Sequence, residues 1–344
     1  MFSYHLSGCS HEIAPSITNK CLFVFDGNGT ENVYDIINEG NWGKPYPFFI
    51  DNDNFYEQIP CKILINWVSV IEKKNYLLCC EIPRLKIEQL FSNGQYFSDI
   101  IVGMAPYGGV ALWTHGFKKS TLVAWMHAEE TQVEMKDFMP LNPNVTLDEI
   151  CDFYINNDLR VKENLQANGL PPRDLFDNYM KQFTYRYLPL FEHWNEDEEK
   201  WLPYTEEEQE TKPELDYIEE ALYDGTHDKL HDGGLLNYHE AGKPKKLAVK
   251  WHIKKSEYMA YFWFEDEDIR AFFDRFYGIH PDTKTDFIIH VDPITNKYQL
   301  ALFRYGLPEP RIIPEDAYQL IIFKNKFEHF RSENYDQPRG AWIW

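Results

Sequence analysis

His227 and His231 stand four residues apart in the run His227-Asp228-Lys229-Leu230-His231-Asp232. On a helix that spacing places both imidazoles on one face, where neutral ring nitrogens can bind zinc. Gly225 precedes the run and Gly233-Gly234 follows it. Glycine weakens a helix, so a polar loop competes with a metal site here. The segment lacks a His-Glu-x-x-His motif, and no metal or other cofactor is expected. Different chemistry is offered where Pro106-Tyr107-Gly108-Gly109 runs into Val110-Ala111-Leu112-Trp113. Two glycines at a strand entrance permit positive φ or close backbone approach. Tyrosine and tryptophan are the residue types that anchor interfaces. Tyr107, Gly108, Gly109 and Trp113 are therefore the candidate binding residues, with a tight hairpin as the plain structural alternative.

Other patterns stop short of a reaction. His127-Ala128-Glu129 matches half of a zinc deaminase signature, but the Pro-Cys-x-x-Cys half is missing. The chain has no Gly-x-Ser-x-Gly to expose a nucleophile. Gly27-Asn28-Gly29 has no continuation to Lys-Ser or Lys-Thr and reads as a turn. With 55 acidic residues, a pair of carboxylates picked from the sequence carries no weight. No catalytic residue is assigned. The cysteines, at 9, 21, 61, 79, 80 and 151, form no Cys-x-x-Cys and read as mostly buried free thiols of a reducing compartment. Leu6-Ser7-Gly8-Cys9 resembles a lipobox, but only Met1 to His5 precede it. A signal peptide needs a charged start and an apolar stretch of about 7–15 residues. The expected location is cytoplasmic as the sequence is written, and that of a periplasmic lipoprotein if the true start lies upstream.

Those residues need a scaffold. A chain of 344 residues suggests about two domains. Apolar residues make up 44% and aromatics 16%, enough for a sheet-rich core in each half. Lysine and arginine total 34 against 55 acids, a net charge of −21. That balance excludes an extended nucleic-acid surface, which needs cations for the phosphates. It favours solubility and steers a basic partner inward. No apolar run reaches the roughly 18 residues that span a bilayer. The oligomeric state is not legible.

One order of elements occurs twice. Ile63, Ile65 and Trp67 alternate as a strand, Tyr76 to Ile82 forms a second, and Ile87, Leu90 and Phe91 mark a helical face. Strands at Ile100–Val102, Gly108–Trp113 and Leu122–Met126 follow. Leu247, Val249 and Trp251 open the second set, with a helical face at Ile269, Phe272, Phe273 and Phe276. Strands around Phe287–Ile289, Tyr298–Phe303 and Tyr318–Phe323 complete it. Between the sets, Thr146 and Glu149 form a capping box, and a helical pattern runs through Leu175, Tyr179, Phe183 and Tyr187. Acidic blocks at Glu196–Glu199 and Glu206–Glu208 read as solvated. The expectation is an α+β protein of two related units, 1–140 and 216–344. Each is an antiparallel sheet with a packed helix, and a helical, acidic insert at 141–215 joins them.

The segments IPCKILINWVSVIEKKNYLLCCEIP, KIEQLF and GMAPYGGVALWTHG carry a resemblance. In their proline, glycine, tyrosine and tryptophan placement they are similar to the bacterial family known as domain of unknown function 2931. Pro60, Trp67, Glu72, Tyr76, Pro83, Gly103, Pro106, Gly109, Trp113 and Gly116 match its shape over the first 130 residues or so. The later half resembles it only through the internal repeat. The family is uncharacterised. Many members resemble lipoproteins, and some are encoded beside phospholipase toxins of the type VI secretion system. The resemblance thus implies a non-enzymatic protein-binding module, an immunity protein whose partner is such a toxin. The alternative is a hydrolase or glycan-acting enzyme with a cleft between the two units.

Overall fold

The computed structural model describes residues 4–27, 29–32, 42–44, 58–92, 97–117, 119–132, 134–139, 142–235, 237–278, 282–293, 295, 297–324 and 328–333. The turn expected at Gly27-Asn28-Gly29 lies partly outside them, at Asn28. The protein is mixed α+β and mostly sheet, in two compact units. The first comprises residues 1–180 with 224–226, and the second comprises 181–223 with 227–344.

The first unit contains strands β1 (His5–Ser10), β2 (Ser16–Val24), β3 (Thr30–Asn32), β4 (Lys62–Ser69) and β5 (Lys74–Glu81). Helix α1 (Arg84–Ser92) leads to β6 (Phe97–Met104), β7 (Gly109–Gly116), β8 (Lys119–His127) and β9 (Glu129–Thr131). Helices α2 (Met135–Phe138), α3 (Leu147–Asn157), α4 (Leu159–Asn168) and α5 (Leu175–Tyr179) close the unit. Two sheets form, ordered β3-β2-β4-β5-β9 and β1-β6-β7-β8, and β1 runs parallel to β6. The single antiparallel sheet expected from the sequence is thus two sheets. Alternation is the cause: Ile63, Ile65 and Trp67 of β4 and Ile100, Val102, Val110 and Leu112 of β6 and β7 bury into one shared core. Apolar residues on two separate strand sets need each other as cover.

Ile87 and Phe91 of α1 join that core, as their spacing predicts. A second cluster, containing Val68, Val70, Phe138, Ile150 and Cys151, lines the other side of β4. Helix α3 is capped as expected. The Thr146 hydroxyl accepts from the Glu149 N–H at 3.2 Å, and the Glu149 carboxylate accepts from the Thr146 N–H at 2.8 Å. Thr146→Ala is expected to lower the unfolding free energy by about 1 kcal/mol. A urea midpoint unchanged by the substitution would show that water serves that helix end equally well.

The second unit contains β10 (Phe183–Asn195), β11 (Lys200–Pro203), β12 (Glu214–Leu222), β13 (His227–Leu230), α6 (Asp232–Leu235) and β14 (His239–Ala241). Then come β15 (Pro244–Ile253), β16 (Ser256–Phe264), α7 (Asp266–Tyr277), β17 (Thr285–Asp292), β18 (Lys297–Arg304), β19 (Arg311–Ile312), β20 (Tyr318–Lys324) and β21 (Glu328–Glu333). One set of strands pairs in the order β13-β12-β15-β16-β20-β21, the other in the order β11-β10-β17-β18-β19. Strand β10 runs parallel to β17. Trp251 of β15 is fully buried and stacks on Tyr258 of β16, 5.7 Å between centroids.

The expected insert at 141–215 is not a body of its own. Its helices belong to the first unit, and from Lys181 onward the chain belongs to the second. The helix predicted through Leu175, Tyr179, Phe183 and Tyr187 ends at Tyr179. Beyond it Phe183, Tyr185 and Tyr187 are buried while Thr184 and Arg186 are partly exposed, a period of two. Aromatic residues at that period favour a strand. The blocks at Glu196–Glu199 and Glu206–Glu207 are exposed, as charge runs usually are.

Candidate functional site

Pro106, Tyr107 and Gly108 form a single 3-10 turn that joins β6 to β7. Tyr107 has φ 60° and ψ 25°, a left-handed conformation that costs a non-glycine residue about 1–2 kcal/mol. Surrounding groups hold it there. The Glu72 carboxylate accepts the Tyr107 N–H and the Tyr76 hydroxyl, each at 2.8 Å. The Tyr107 hydroxyl donates to the Pro171 carbonyl at 2.7 Å. Burial pushes both phenols above their ordinary pKa, followed by the hydrogen bond to Glu72 for Tyr76 and by the Glu72 charge for Tyr107.

The glycines are required here by space. A Cβ on Gly108, at φ +80°, would lie 2.7 Å from the Ala128 carbonyl oxygen. One on Gly109 would lie 2.2 Å from the Trp125 ring. Two candidate residues thus let the turn pack against the end of β8, and that contact shapes a cleft.

The cleft has a volume of about 180 Å³. Pro106 and Tyr107 form one wall, Trp125 and His127 of β8 another, and Arg173, Phe176 and Asp177 the third. Asp177 accepts from the Trp125 indole at 2.7 Å and lies 3.1 Å from His127 Nε2. The Trp125 and His127 rings meet edge to face at 5.5 Å. A carboxylate thereby fixes the orientation of an imidazole and an indole beside a guanidinium. Such a lining can receive one polar or aromatic side chain through π-faces and charge-assisted hydrogen bonds.

Trp113 is elsewhere. It is fully buried, its indole donates to the Asp224 carbonyl at 2.9 Å, and its ring meets Trp42 edge-on at 4.7 Å. The expectation of a rim anchor at Trp113 is corrected: the apolar run Val110–Leu112 is buried on both faces, so its tryptophan is core. His227 and His231 are also reassigned. His227 lies in β13, paired with β12 through His227↔Ala221 and Leu230↔Ile218, and His231 follows the strand, its carbonyl accepting from the N–H groups of Gly234 and Leu235. The two histidines therefore share no helical face on which to hold one ion. Among the described residues, no group of three or more metal-ligating side chains converges.

Among the cysteines, Cys9, Cys21 and Cys151 are buried, and burial pushes each thiol up to about 12. Cys79 is exposed while Cys80 is partly covered, with its sulfur 3.3 Å from Met126 Sδ, as neighbours in a strand should be. Cys9, the lipobox residue, lies buried in β1, the first strand of its sheet, opposite Gly103 of β6. No helix among the described residues is long and apolar enough to cross a membrane.

Sequence reasoning missed Trp125, Arg173 and Asp177, and Glu72 drew attention only as a position that matches the family's shape. His127 drew attention only as part of a failed metal motif. No spacing rule links a β8 residue to an acid fifty positions on in α5. The one available signal was Tyr107 itself, before a glycine pair.

Residues 21–171 match a family model described as Protein of unknown function (DUF2931), so the first part of the chain is DUF2931-like. The match spans Glu72, the Pro106–Gly109 turn, Trp125 and His127, and stops at Pro171. No curated protein and no solved structure matches the chain.

Proposed function

We propose that the first unit is a protein-binding module whose contact point is the cleft beside Tyr107. The observation that carries this reading is the strained Tyr107 backbone, held by Glu72 and Pro171 at the wall of an open cleft. Strain that surrounding groups maintain is concentrated at functional sites. The net charge of −21 favours a basic partner. The resemblance carried by Ile59–Gly116 supports the reading of that partner as a toxin that the protein neutralises.

The two units are read as copies of one ancestor. Support comes from their pairing: β2-β4-β5-β9 and β12-β15-β16-β20 follow the same order along the chain and across the sheet. Lys73 and Lys254, after β4 and β15, share φ 55°. Trp67 meets Tyr76 as Trp251 meets Tyr258. The second copy enters β18 through Lys297-Tyr298-Gln299 and has no glycine pair, so the Tyr107 cleft belongs to the first copy alone.

The test uses purified products of the adjacent genes as probes. One of them is expected to bind, and Tyr107→Ala with Trp125→Ala to weaken that binding at least tenfold, measured by calorimetry. Binding by none of them, or no change in the double variant with its melting temperature intact, would sink the reading.

A further inference from the structure

Strand β10 is long, and its neighbours leave part of one edge uncovered. Strand β17 pairs in parallel with Tyr185–Phe191. On the other side β14 covers Phe183–Tyr185, and β11 pairs with Glu192–Asn195. Between those two, Tyr187 to Phe191 have no second ladder partner among the described residues. A groove of about 510 Å³ follows that stretch. It is lined by the β10 residues Tyr187 through Glu192, with Tyr204, Lys212, Leu215 and Leu235 around them.

The edge has a defined polarity. Just past the end of the β10–β17 ladder the Trp194 N–H donates to the Asp292 side-chain carboxylate, 2.8 Å away, which puts the backbone groups of the even-numbered residues of β10 on the β17 side. Alternation then turns those of Tyr187, Pro189 and Phe191 to the groove. Pro189 has no N–H, and proline is tolerated where that group would face an open edge. The position carries an accessible carbonyl between two residues that each present both a donor and an acceptor.

We propose that this groove binds an extended segment of a basic partner protein by adding a strand to β10. The added strand runs antiparallel to β10, as β14 and β11 both do. Main-chain bonds to Tyr187, Pro189 and Phe191 hold it, and every second side chain enters between Leu215 and Leu235. That selects alternating apolar residues. The segment is cationic at its end next to β11, because the acidic blocks Glu196–Glu199 and Glu206–Glu208 adjoin β11 on either side in the chain. This site is in the second unit and stands independently of the Tyr107 cleft.

The probe is the capped peptide Lys-Lys-Val-Thr-Val-Thr-Val-Lys-Lys with a fluorophore, titrated into the full chain and read by anisotropy. Saturable binding is expected. N-methylation of alternate residues of one parity should weaken it about tenfold per blocked bond, and N-methylation of the other parity should leave it unchanged. Leu215→Arg should abolish binding while Tyr107→Ala leaves it intact. Equal binding of the two N-methyl series, or none at about 1 mM, overturns the proposal. So does a peptide-free dimer by sedimentation that Leu215→Arg dissociates, because the edge would then be filled by a second copy.

Discussion

Trp251→Ala is expected to lower the unfolding free energy of the second unit by about 3–5 kcal/mol, with Trp67→Ala doing the same to the first. Both indoles are fully buried. Trp251 packs among Tyr258, Phe191 and Tyr298, at centroid distances of 5.7, 6.1 and 6.3 Å. Its ring reaches from β15 to β10 and β18, so its removal opens a cavity between strands of both pairing sets. Trp67 meets Tyr76 at 5.5 Å inside a cluster drawn from β2, β4, β5, α1, β6 and β7. Rigid strands on each side close such cavities poorly, which places the expected loss at the upper end for core truncations. Hydrogen exchange read peptide by peptide will locate each loss. A loss under 1 kcal/mol at either site would mean that the rings are not the centres of these cores.

Raising the pH from 8 to 10.5 is expected to stabilise the second unit by about 3 kcal/mol through Lys243 alone. Its side chain is fully buried, with Nζ 3.4 Å from Asp274 and 5.0 Å from the Phe183 ring centroid. Lys181 reaches the same Asp274 oxygen at 3.7 Å. Burial pushes the Lys243 ammonium down from 10.5 to about 8, with Asp274 opposing that shift and Lys181 and Arg270 adding to it. Between those values the unfolded chain binds the proton and the folded chain releases it, so stability rises with pH. The interval is 2.5 pH units, at about 1.36 kcal/mol per unit. Below pH 8 both states are charged and the full penalty persists. Lys243→Met should therefore be neutral or stabilising at pH 7 and should flatten the rise. A destabilisation above 1 kcal/mol would show instead that the Asp274 pair outweighs the desolvation.

Alternating residues such as Ile63, Ile65 and Trp67, or Leu247, Val249 and Trp251, made strands legible because period-two burial leaves a direct mark on the sequence. Helix α3 was legible from Thr146 and Glu149, and α1 and α7 from their apolar faces, for the same local reason. The boundary at Phe183 was misread because aromatics four apart satisfy a helix and a strand equally well. The burial of Trp113 and the strand at His227–Leu230 were misread because neither follows from neighbours in the chain.

The sequence alone determined the strands at Ile63–Trp67 and Leu247–Trp251, the helices α1, α3 and α7, and that the chain is acidic. Tertiary structure decided that each unit folds its strands into two sheets. It also decided that Trp125, His127 and Asp177 line one cleft with Tyr107, and that part of one edge of β10 has no ladder partner among the described residues. The reason is physical: periodicity records which side of an element is buried, while the identity of what buries it depends on contacts between residues far apart in the chain.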